Sequence, residues 1–298
     1  MSTFVLPKQS FMKSVLVTGA NGQLGVAIQR IAESLNGFKF YFTDVDTLDI
    51  CDKVQVEAFV KSHDINVIVN CAAYTAVDKA EDDSVICMQI NRDAVRNIGE
   101  VAASAGAKVI HISTDYVFDG CQTRPYREDD ATNPVSVYGS TKLAGEKVLL
   151  LNCRDSVIIR TAWLYSETGS NFVKTMLRLG AERDSLGVVA DQKGTPTYAG
   201  DLAEAIKTVL LAEKFVPGIF HYTNDGECTW CDFAVKIFDL AGLKCAVKPL
   251  TTAEYPTRAR RPAYSILEKT KIKEVYGTRT PSWEKGLEKC LKQLSIIN

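Results

Sequence analysis

Tyr138 and Lys142 stand four residues apart in the stretch VYGSTKLAGE, residues 137–146. Two side chains at this spacing on a helix lie on one face, so the sequence predicts a phenol beside an ammonium. A free tyrosine has a pKa of about 10, and a neighbouring cation favours its ionised form. The pair is therefore predicted to give or accept a proton at a pKa nearer neutrality.

A hydroxyl group is predicted to stand beside this pair. The stretch KVIHISTDYVF reads as a strand that ends in Ser113 and Thr114. A hydroxyl at the strand end can bind a carbonyl oxygen next to the phenol. Y-x-x-x-K alone is a common pattern, so its chemical interpretation depends on a cofactor site elsewhere in the chain.

The stretch VLVTGANGQLG supplies such a site, with Gly19, Gly22 and Gly25 between a predicted strand and a predicted helix. A dinucleotide pyrophosphate must approach the backbone closely, where a Cβ atom would clash. The helix N-terminus then offers unpaired N–H groups and a partial positive charge to the phosphates. The strand, loop, helix and second strand required by this interpretation are all present.

The second predicted strand ends at Asp44, where an acidic side chain can accept hydrogen bonds from the adenosine ribose hydroxyls. The following residues, TDVDTLDI, contain no Arg or Lys to bind a 2′-phosphate. This favours NADH as the cofactor, with NADPH as the alternative. Asp49 and Ile50 are predicted to flank the adenine.

Strand and helix patterns alternate through the first 160 residues. The strand-like stretches are KSVLVTG, FKFYFTD, NVIVNCAA, KVIHIST and SVIIRTAWLY. The helical stretches between them are LGVAIQRIAESL, VQVEAFVKSH, SVICMQINRDAVRNIGEVAASAG and LAGEKVLLLN. Apolar strands separated by helices predict an α/β fold with a doubly wound parallel sheet of the Rossmann type.

The second half of the chain has a different pattern. Its helical stretches are NFVKTMLRLGAE, AGDLAEAIKTVLLAE, CDFAVKIFDLAG and SWEKGLEKCLKQL, with the strand candidates LGVVA and GIFHYTN between them. We therefore predict a dinucleotide-binding domain over residues 1–160. Residues 161–298 are predicted to form mainly a smaller α/β substrate-binding lobe, with some segments returning to the first sheet.

Composition excludes several classes of protein. Lys and Arg total 35 and Asp and Glu total 36, so no basic excess indicates nucleic acid or an anionic membrane as a partner. The opening MSTFVLPKQSFMK lacks a long apolar core and is predicted to be an extension before the first strand, not a signal peptide. Nine loosely spaced cysteines favour reduced thiols and a cytoplasmic location.

Cys228 and Cys231 form a C-x-x-C pattern. Redox or zinc chemistry is one interpretation, but zinc needs two more ligands and no second C-x-x-C exists in the sequence. The interpretation that we favour is a helix start with Cys228 at the cap, and no metal site is predicted.

The motifs together resemble the extended short-chain dehydrogenase/reductase family. Within it, the stretches GANGQLG, VNCAAYTAVDKAE, STDYVFDG, PVSVYGSTKLAGE, RTAWLY, GSNFVKTMLRL, DQKGTPT and ARRPAYSILEKTKI resemble the dTDP-4-dehydrorhamnose reductases. The resemblance covers the chain from about residue 14 to its end. It implies NAD(P)H-dependent reduction of the C4 keto group of dTDP-4-dehydro-β-L-rhamnose to dTDP-β-L-rhamnose, a precursor of cell-surface polysaccharides.

The resemblance also implies roles for particular residues. Tyr138 would protonate the sugar C4 oxygen, Lys142 would hold the nicotinamide ribose and support the phenol, and Thr114 would orient the keto oxygen. The predicted cofactor-binding residues are Gly19, Asn21, Gly22, Gln23, Leu24, Gly25, Asp44, Asp49, Ile50, Ala72, Ala73, Tyr74, Tyr138 and Lys142. The predicted substrate-binding residues are Thr75, Thr114, Asp115 and Trp163, the last of which also reads as a core aromatic.

Other positions leave the interpretation open. Asn171, Arg258, Arg260 and Arg261 are candidates for contacts with the nucleotide diphosphate, or else they form structural ion pairs. Some relatives bridge two subunits through magnesium with an acidic residue two positions after the third glycine. That position is Ala27 in this chain, so we expect either a monomer or a homodimer that does not use this bridge.

Two alternatives to the reductase remain at this stage. The chain shares DYVFDG and YGSTKL with the non-catalytic regulatory β subunit of methionine adenosyltransferase. Another nucleotide-sugar reductase or an epimerase would have the same fold. The stretches AAYTAVDKAE and RTAWLY favour the reductase, because its relatives line the sugar side with them.

Overall fold

Twelve strands are present in the computed structural model, which describes residues 12–297. They are β1 (Lys13–Thr18), β2 (Phe38–Thr43), β3 (Ile65–Asn70), β4 (Lys108–Thr114), β5 (Ser156–Thr161), β6 (Leu164–Tyr165), β7 (Ser185–Val189), β8 (Lys193–Gly194), β9 (Thr197–Tyr198), β10 (Gly218–His221), β11 (Cys228–Thr229) and β12 (Ala246–Leu250). The predicted amino-terminal extension, residues 1–11, lies outside the described residues.

Ten α-helices connect these strands in the described part of the chain. They are α1 (Gln23–Ala32), α2 (Lys53–Ser62), α3 (Ser84–Met88), α4 (Ala94–Ala105), α5 (Val137–Asn152), α6 (Phe172–Glu182), α7 (Ala199–Leu211), α8 (Trp230–Ala241), α9 (Thr270–Tyr276) and α10 (Trp283–Gln293). A π-helical turn, Gln89–Asp93, joins α3 to α4. None of the helices between residues 12 and 297 has the length and apolar character needed to span a bilayer.

Six of the strands form one parallel sheet in the order β10-β5-β4-β3-β1-β2. On one face of this sheet, Val15, Val17 and Val69 pack against α1 and α7. On the opposite face, Leu16 and Ile68 pack against α2, α4 and α5. Because side chains alternate along a strand, the nearly continuous apolar runs of the sequence fill both faces. The predicted doubly wound parallel sheet is therefore confirmed.

A second, smaller core lies outside the sheet. It is built from α6, α8 and α10 together with the short strand pair β7 and β12, and its buried side chains include Val173, Phe233 and Leu287. Strand β10 lies beside β5 at the edge of the large sheet, and α9 adds Ile272 and Tyr276 to the first core. The boundary at residue 160 stays a prediction.

Some element boundaries differ from those predicted. Helix α5 starts at Val137, where the Ser136 side chain caps it by accepting from Gly139 N, so Tyr138 lies in its first turn. The predicted strand SVIIRTAWLY leaves the sheet after Thr161, because Trp163 adopts a left-handed backbone with φ of 47°. Helix α9 and strand β12 were not predicted, since their short sequences carry little periodicity.

The helix near the C-x-x-C pattern starts as expected but with a different cap. Thr229 accepts from Asp232 N, and the Asp232 carboxylate accepts from the backbone N–H of Thr229. The predicted cap at Cys228 is therefore wrong, because a hydroxyl makes the stronger capping bond. Cys228 lies in β11 and is buried.

A buried ion pair fixes α5 on the sheet. The Arg160 guanidinium on β5 donates from Nε to Glu146 Oε1 at 2.9 Å and from Nη2 to Glu146 Oε2 at 2.7 Å. The Ser113 hydroxyl on β4 donates to the same carboxylate at 2.5 Å. Both charged side chains are 2% exposed. Breaking such a pair leaves an uncompensated buried charge, which typically costs about 3–5 kcal/mol.

Two glycines let α5 pack closely on its neighbours. A Cβ atom on Gly145 of α5 would overlap the Asn91 carbonyl oxygen in the π-helical turn. A Cβ atom on Gly99 of α4 would instead meet the Leu149 Cδ1 atom at 3.1 Å, and that atom belongs to a flexible side chain. Backbone cannot move aside as easily as the end of a side chain.

We therefore expect Gly145→Ala to lower the free energy of unfolding by about 2 kcal/mol, the usual cost of overpacking. Gly99→Ala is the matched control, and its steric cost should be offset by the roughly 1 kcal/mol gain in helix propensity that both changes share. Denaturant unfolding of the two variants measures the difference. Equal stabilities would contradict this account of the packing.

Candidate active site

The glycine loop after β1 packs directly on the loop after β3. Gly19 has φ of 65°, and a Cβ atom there would lie 2.7 Å from Ala72 N. A Cβ atom on Gly25 would lie 2.5 Å from the Ala20 Cα atom, so the first turn of α1 sits against the loop. A Cβ atom on Gly22 would meet only Gly19 O, at 3.2 Å. Gly22 is exposed and borders open space.

The N-terminus of α1 has no side-chain cap. In contrast, Asp52, Ser136, Asn171 and Thr229 cap α2, α5, α6 and α8. The first N–H groups of a helix lack partners inside it, so an uncapped N-terminus behind a glycine loop suits an anion. The loop therefore fits a dinucleotide pyrophosphate. The Leu24 side chain is buried in the first core.

Asp44 lies at the end of β2, beside the glycine loop. Its carboxylate accepts from Asn21 N at 2.9 Å and from Val45 N at 2.8 Å. These bonds leave lone pairs for further donors, because a carboxylate accepts about four hydrogen bonds. Asp49 is partly exposed, whereas Ile50 is 7% exposed and packs in the core. The adenine contact of Ile50 stays a prediction, and the burial of its side chain limits that contact to its backbone.

Gln23 connects the first turn of α1 with the second half of the chain. Its Oε1 atom accepts from Asn171 Nδ2 at 2.9 Å and from the Ser166 hydroxyl at 3.3 Å. Asn171 also accepts from Lys174 N at 3.1 Å and so caps α6. The structure therefore gives Asn171 a structural role beside the predicted cofactor loop.

Two of the candidate arginines have ion-pair partners. Arg261 donates to Asp78 Oδ2 at 2.6 Å, and Arg258 pairs with Asp82. Arg258, Arg260 and Arg261 all line a cavity of about 510 Å³.

The loop after β3 is held by one buried asparagine. Asn91 Oδ1 accepts from Tyr74 N at 2.9 Å, and Asn91 Nδ2 donates to Tyr74 O at 3.1 Å. The loop residues Ala72 and Ala73 are partly buried, while Thr75 is exposed. Asn91 therefore fixes the backbone of the loop of residues 72–75, which is predicted to contact the cofactor and the substrate.

The predicted catalytic hydroxyls lie together. Thr114 ends β4 close to the Tyr138 phenol, and its hydroxyl donates to Asp115 Oδ1 at 3.1 Å. The rings of Tyr116 and Tyr138 meet edge to face, with centroids 5.6 Å apart. Asp115 is 1% exposed, and its Oδ2 atom has no partner in the described structure.

Burial raises the pKa of the Tyr138 phenol above its ordinary value, and the nearby Thr114 hydroxyl acts in the opposite direction. The expected lowering by Lys142 is absent, because the lysine Nζ atom donates to the Ile112 carbonyl oxygen at 2.6 Å. Burial also lowers the pKa of Lys142 to about 8. At neutral pH the phenol therefore keeps its proton, as a proton donor requires.

Trp163 follows β5, two residues after Thr161, which pairs with Thr114 in the sheet. Its indole stacks on Trp230, with ring centroids 3.6 Å apart. A Cβ atom on Gly194 would lie 2.5 Å from the indole, so only glycine fits there. Trp163 is half-buried and has a left-handed backbone, a conformation found at functional sites more often than elsewhere.

Sequence reasoning missed the buried polar residues behind Lys142, which are Asn70, His111 and Glu146. Asn70 and His111 interrupt the apolar stretches VIVNCAA and VIHIS, which was the available signal, whereas Glu146 precedes Lys147 in a helical pattern and carried no such signal. No group of three or more His, Cys, Asp or Glu side chains able to hold a metal ion occurs between residues 12 and 297. Ala27 is buried in the first core.

A phenol, a strand-end hydroxyl and a buried lysine beside a dinucleotide-type loop define a nicotinamide-dependent oxidoreductase of the short-chain dehydrogenase/reductase class. The chain matches the family model described as RmlD substrate binding domain over residues 12–296. It belongs to this family.

Curated relatives and solved structures agree with this membership. The chain is 41% identical over 287 residues to dTDP-4-dehydrorhamnose reductase of Aggregatibacter actinomycetemcomitans, covering 93% of this chain and 98% of the relative. A crystal structure of dTDP-4-dehydrorhamnose reductase from Clostridium acetobutylicum is 44% identical, has a TM-score of 0.91 and covers 95% and 99% of the two chains. The Bacillus anthracis enzyme in complex with NADP is 41% identical, has a TM-score of 0.90 and covers 94% and 99%.

We expect Gly22→Ala to weaken cofactor binding at least tenfold while leaving the melting temperature nearly unchanged. The new methyl group meets only Gly19 O within the protein but occupies the space where a pyrophosphate would approach. Titration of the protein with NADH and NADPH, followed by fluorescence, measures the effect. Gly99→Ala, on α4 and outside the glycine loop, is the control. An unchanged cofactor affinity in Gly22→Ala would place the phosphates elsewhere.

Proposed function

We propose that this chain reduces the C4 keto group of dTDP-4-dehydro-β-L-rhamnose to dTDP-β-L-rhamnose with NADH or NADPH. The observation that carries the proposal is the clustering of Thr114, Asp115 and Tyr138 at the end of β4 in a chain about 40% identical to dTDP-4-dehydrorhamnose reductases over nearly its whole length.

A bound nicotinamide cofactor supplies the hydride for carbon C4. Tyr138 donates its proton to the C4 oxygen as negative charge develops there, and the O–H bond of the phenol breaks. The Thr114 hydroxyl, fixed at the strand end, orients that oxygen. Such positioned acid catalysis typically accelerates a reaction by about 10²- to 10⁴-fold. The remaining predicted cofactor contacts, from Gly19 to Tyr74, are part of this proposal.

Asp115 is well suited to bind a sugar hydroxyl. Burial raises the pKa of its carboxyl to about 6, and the nearby Ser265 and Thr114 hydroxyls limit that rise. Its Oδ2 atom is buried without a partner, and a buried polar atom without a partner is costly. A substrate hydroxyl that donates to this atom would remove the cost. Thr75 and Trp163 complete the predicted substrate contacts.

The choice between the two cofactors rests on Asp44. Its negative charge beside the glycine loop favours ribose hydroxyls over a 2′-phosphate, so we propose NADH as the preferred cofactor. The complex of the Bacillus anthracis relative with NADP supports NADPH as a second cofactor.

The alternatives that the sequence left open now have less support. UDP-glucose 4-epimerase of Thermus thermophilus shares the fold, with a TM-score of 0.79 at 20% identity, which is evidence of fold alone. A non-catalytic regulatory subunit would not need a paired phenol and hydroxyl beside a cofactor loop. The reductase is therefore the function that the site supports best.

We also propose a cytoplasmic location and a monomeric or homodimeric state. All nine cysteines, which lie between residues 51 and 290, are unpaired thiols, as is usual in a reducing compartment. Ala27 provides no carboxylate for a magnesium bridge between subunits.

A turnover assay tests the proposal directly. The purified chain is mixed with NADH and with dTDP-4-dehydrorhamnose, dTDP-4-dehydroglucose or a UDP-linked keto sugar, and NADH consumption is followed. We expect consumption with dTDP-4-dehydrorhamnose. Binding of NADH without consumption on any of the sugars would instead favour a regulatory subunit or an epimerase.

Tyr138→Phe should lower kcat by roughly 10²-fold or more, because the proton donor is lost while the ring remains. Tyr116→Phe is the matched control, since its ring packs against that of Tyr138. That change should alter kcat by no more than a few fold. Steady-state kinetics of both variants decide the matter, and near-normal turnover in Tyr138→Phe would refute the assigned role.

Asp44→Asn should reduce the preference for NADH over NADPH by about tenfold. The amide oxygen can still accept from Asn21 N, so the loop keeps its bond to β2, but the charge that disfavours a 2′-phosphate is removed. The ratio of kcat/KM values for the two cofactors measures the change. Equal losses with both cofactors would contradict the ribose contact.

A further inference from the structure

Lys142 lies between two groups of opposite polarity. Its side chain is 2% exposed. The Nζ atom donates to the Ile112 carbonyl oxygen at 2.6 Å, and Nε2 of His111 lies 3.5 Å from the same Nζ atom. The carbonyl favours an ammonium. The influence of the imidazole depends on whether Nε2 carries a hydrogen.

The orientation of the Asn70 amide settles that question. Its Oδ1 atom lies 3.2 Å from Ala72 N and 2.7 Å from the Thr18 hydroxyl. A backbone N–H can only donate, so the atom facing Ala72 must be the amide oxygen. The amide nitrogen Nδ2 consequently faces Nδ1 of His111, at 3.0 Å.

His111 is therefore restricted to one tautomer. The amide nitrogen of Asn70 only donates, so Nδ1 of the imidazole must accept. Full burial lowers the pKa of His111 well below its usual range, and the charge of Lys142 acts in the same direction. A neutral imidazole that accepts at Nδ1 carries its one hydrogen at Nε2. That N–H points at the Lys142 nitrogen.

The other groups around Lys142 act on its charge in the opposite sense. Glu146 on the same helix favours the ammonium, as would the thiols Cys71 after β3 and Cys87 on α3 in their ionised forms. Burial outweighs them and lowers the pKa of Lys142 to about 8. The pKa of Cys71 is itself raised to about 12, so this thiol stays neutral near that pH.

We propose that His111, fixed in its Nε2–H tautomer by Asn70, is a positioning residue that weakens the hold of Lys142 on its proton. The N–H dipole disfavours a full ammonium beside it, so the lysine at the base of the site releases and regains a proton readily. The part of this inference that concerns catalysis rests on the proposed reductase function. The tautomer and the titration of Lys142 do not.

His221 provides an internal reference of opposite tautomer. It is equally buried, on β10, and its Nδ1 atom lies 3.1 Å from the Tyr126 carbonyl oxygen. A carbonyl only accepts, so Nδ1 of His221 carries the hydrogen and its Nε2 faces the Arg160 guanidinium at 3.5 Å. The chain contains only three histidines, and the third, His63, is partly exposed.

Nitrogen-15 NMR of protein labelled at its histidine rings tests the tautomer without any variant. We expect the Nε2–H pattern for His111 and the Nδ1–H pattern for His221, each assigned by the loss of its signals in His111→Leu or His221→Leu. In Asn70→Asp the carboxylate can only accept, so the His111 pattern should change to one with a hydrogen on Nδ1. The Nδ1–H tautomer at His111 in the unmodified protein would overturn the proposal.

Carbon-13 NMR of the lysine Cε atoms tests the effect on Lys142, whose signal is identified by its loss in Lys142→Arg. We expect its titration midpoint to rise by at least half a pH unit in His111→Leu and to stay unchanged in His221→Leu. An unchanged midpoint in His111→Leu would overturn the proposal. Because these measurements need no substrate, they stand whether or not the chain reduces dTDP-4-dehydrorhamnose.

The kinetic consequence has a definite sign. The ammonium of Lys142 is present below its pKa and is lost as the pH rises through that value, so kcat should fall on the alkaline side of the profile. In His111→Leu this alkaline limb should move to higher pH together with the NMR midpoint. If the alkaline limb of the kcat profile stays in place while the NMR titration midpoint of Lys142 moves, the catalytic part of the inference would be overturned.

Discussion

The buried contact between Glu146 and Arg160 is the constraint on which the arrangement of the site depends. It joins α5 to β5, and the Ser113 hydroxyl ties the same carboxylate to β4. Helix α5 also carries Tyr138 and Lys142, so their distance from the end of β4 is set by this charge pair. Such a pair adds little net stability but permits one register only, since any other position of α5 would leave two charges unpaired. We regard it as the device that fixes the site.

Other polar contacts extend this fixed frame toward the predicted cofactor loop. Asn91 holds the backbone of Tyr74, and the helix turn that carries Asn91 packs on α5 at Gly145. Gln23, at the start of α1, accepts a hydrogen bond from Asn171, which caps α6 in the second half of the chain. The loop that is predicted to bind the cofactor thus touches both halves of the molecule. The cofactor and the substrate are therefore expected to bind to segments that hydrogen bonds already hold together before either one binds.

The fold was predictable because apolar runs and glycine turns are enough to determine the order of its strands and helices. Stretches such as KSVLVTG and KVIHIST became strands of one parallel sheet, and the spacing of Tyr138 and Lys142 placed both on α5. The electrostatics were not predictable in the same way. The sequence suggested that Lys142 lowers the pKa of the phenol, but the position of its Nζ atom depends on contacts with Ile112 and His111 on strand β4. A histidine in an apolar run reads as a core residue until the amide that orients it is known.

The contact of Trp163 with Gly194 and Trp230 has a consequence for divergence among related chains. The left-handed backbone of Trp163, the missing Cβ atom of Gly194 and the stacked indole of Trp230 satisfy one another. A replacement at one of these three positions leaves the other two badly matched. The residues at these three positions should therefore change slowly during evolution. When they do change, we expect the substitutions to occur together. A library that randomises the three positions jointly should recover folded alternatives that single-site scanning cannot reach.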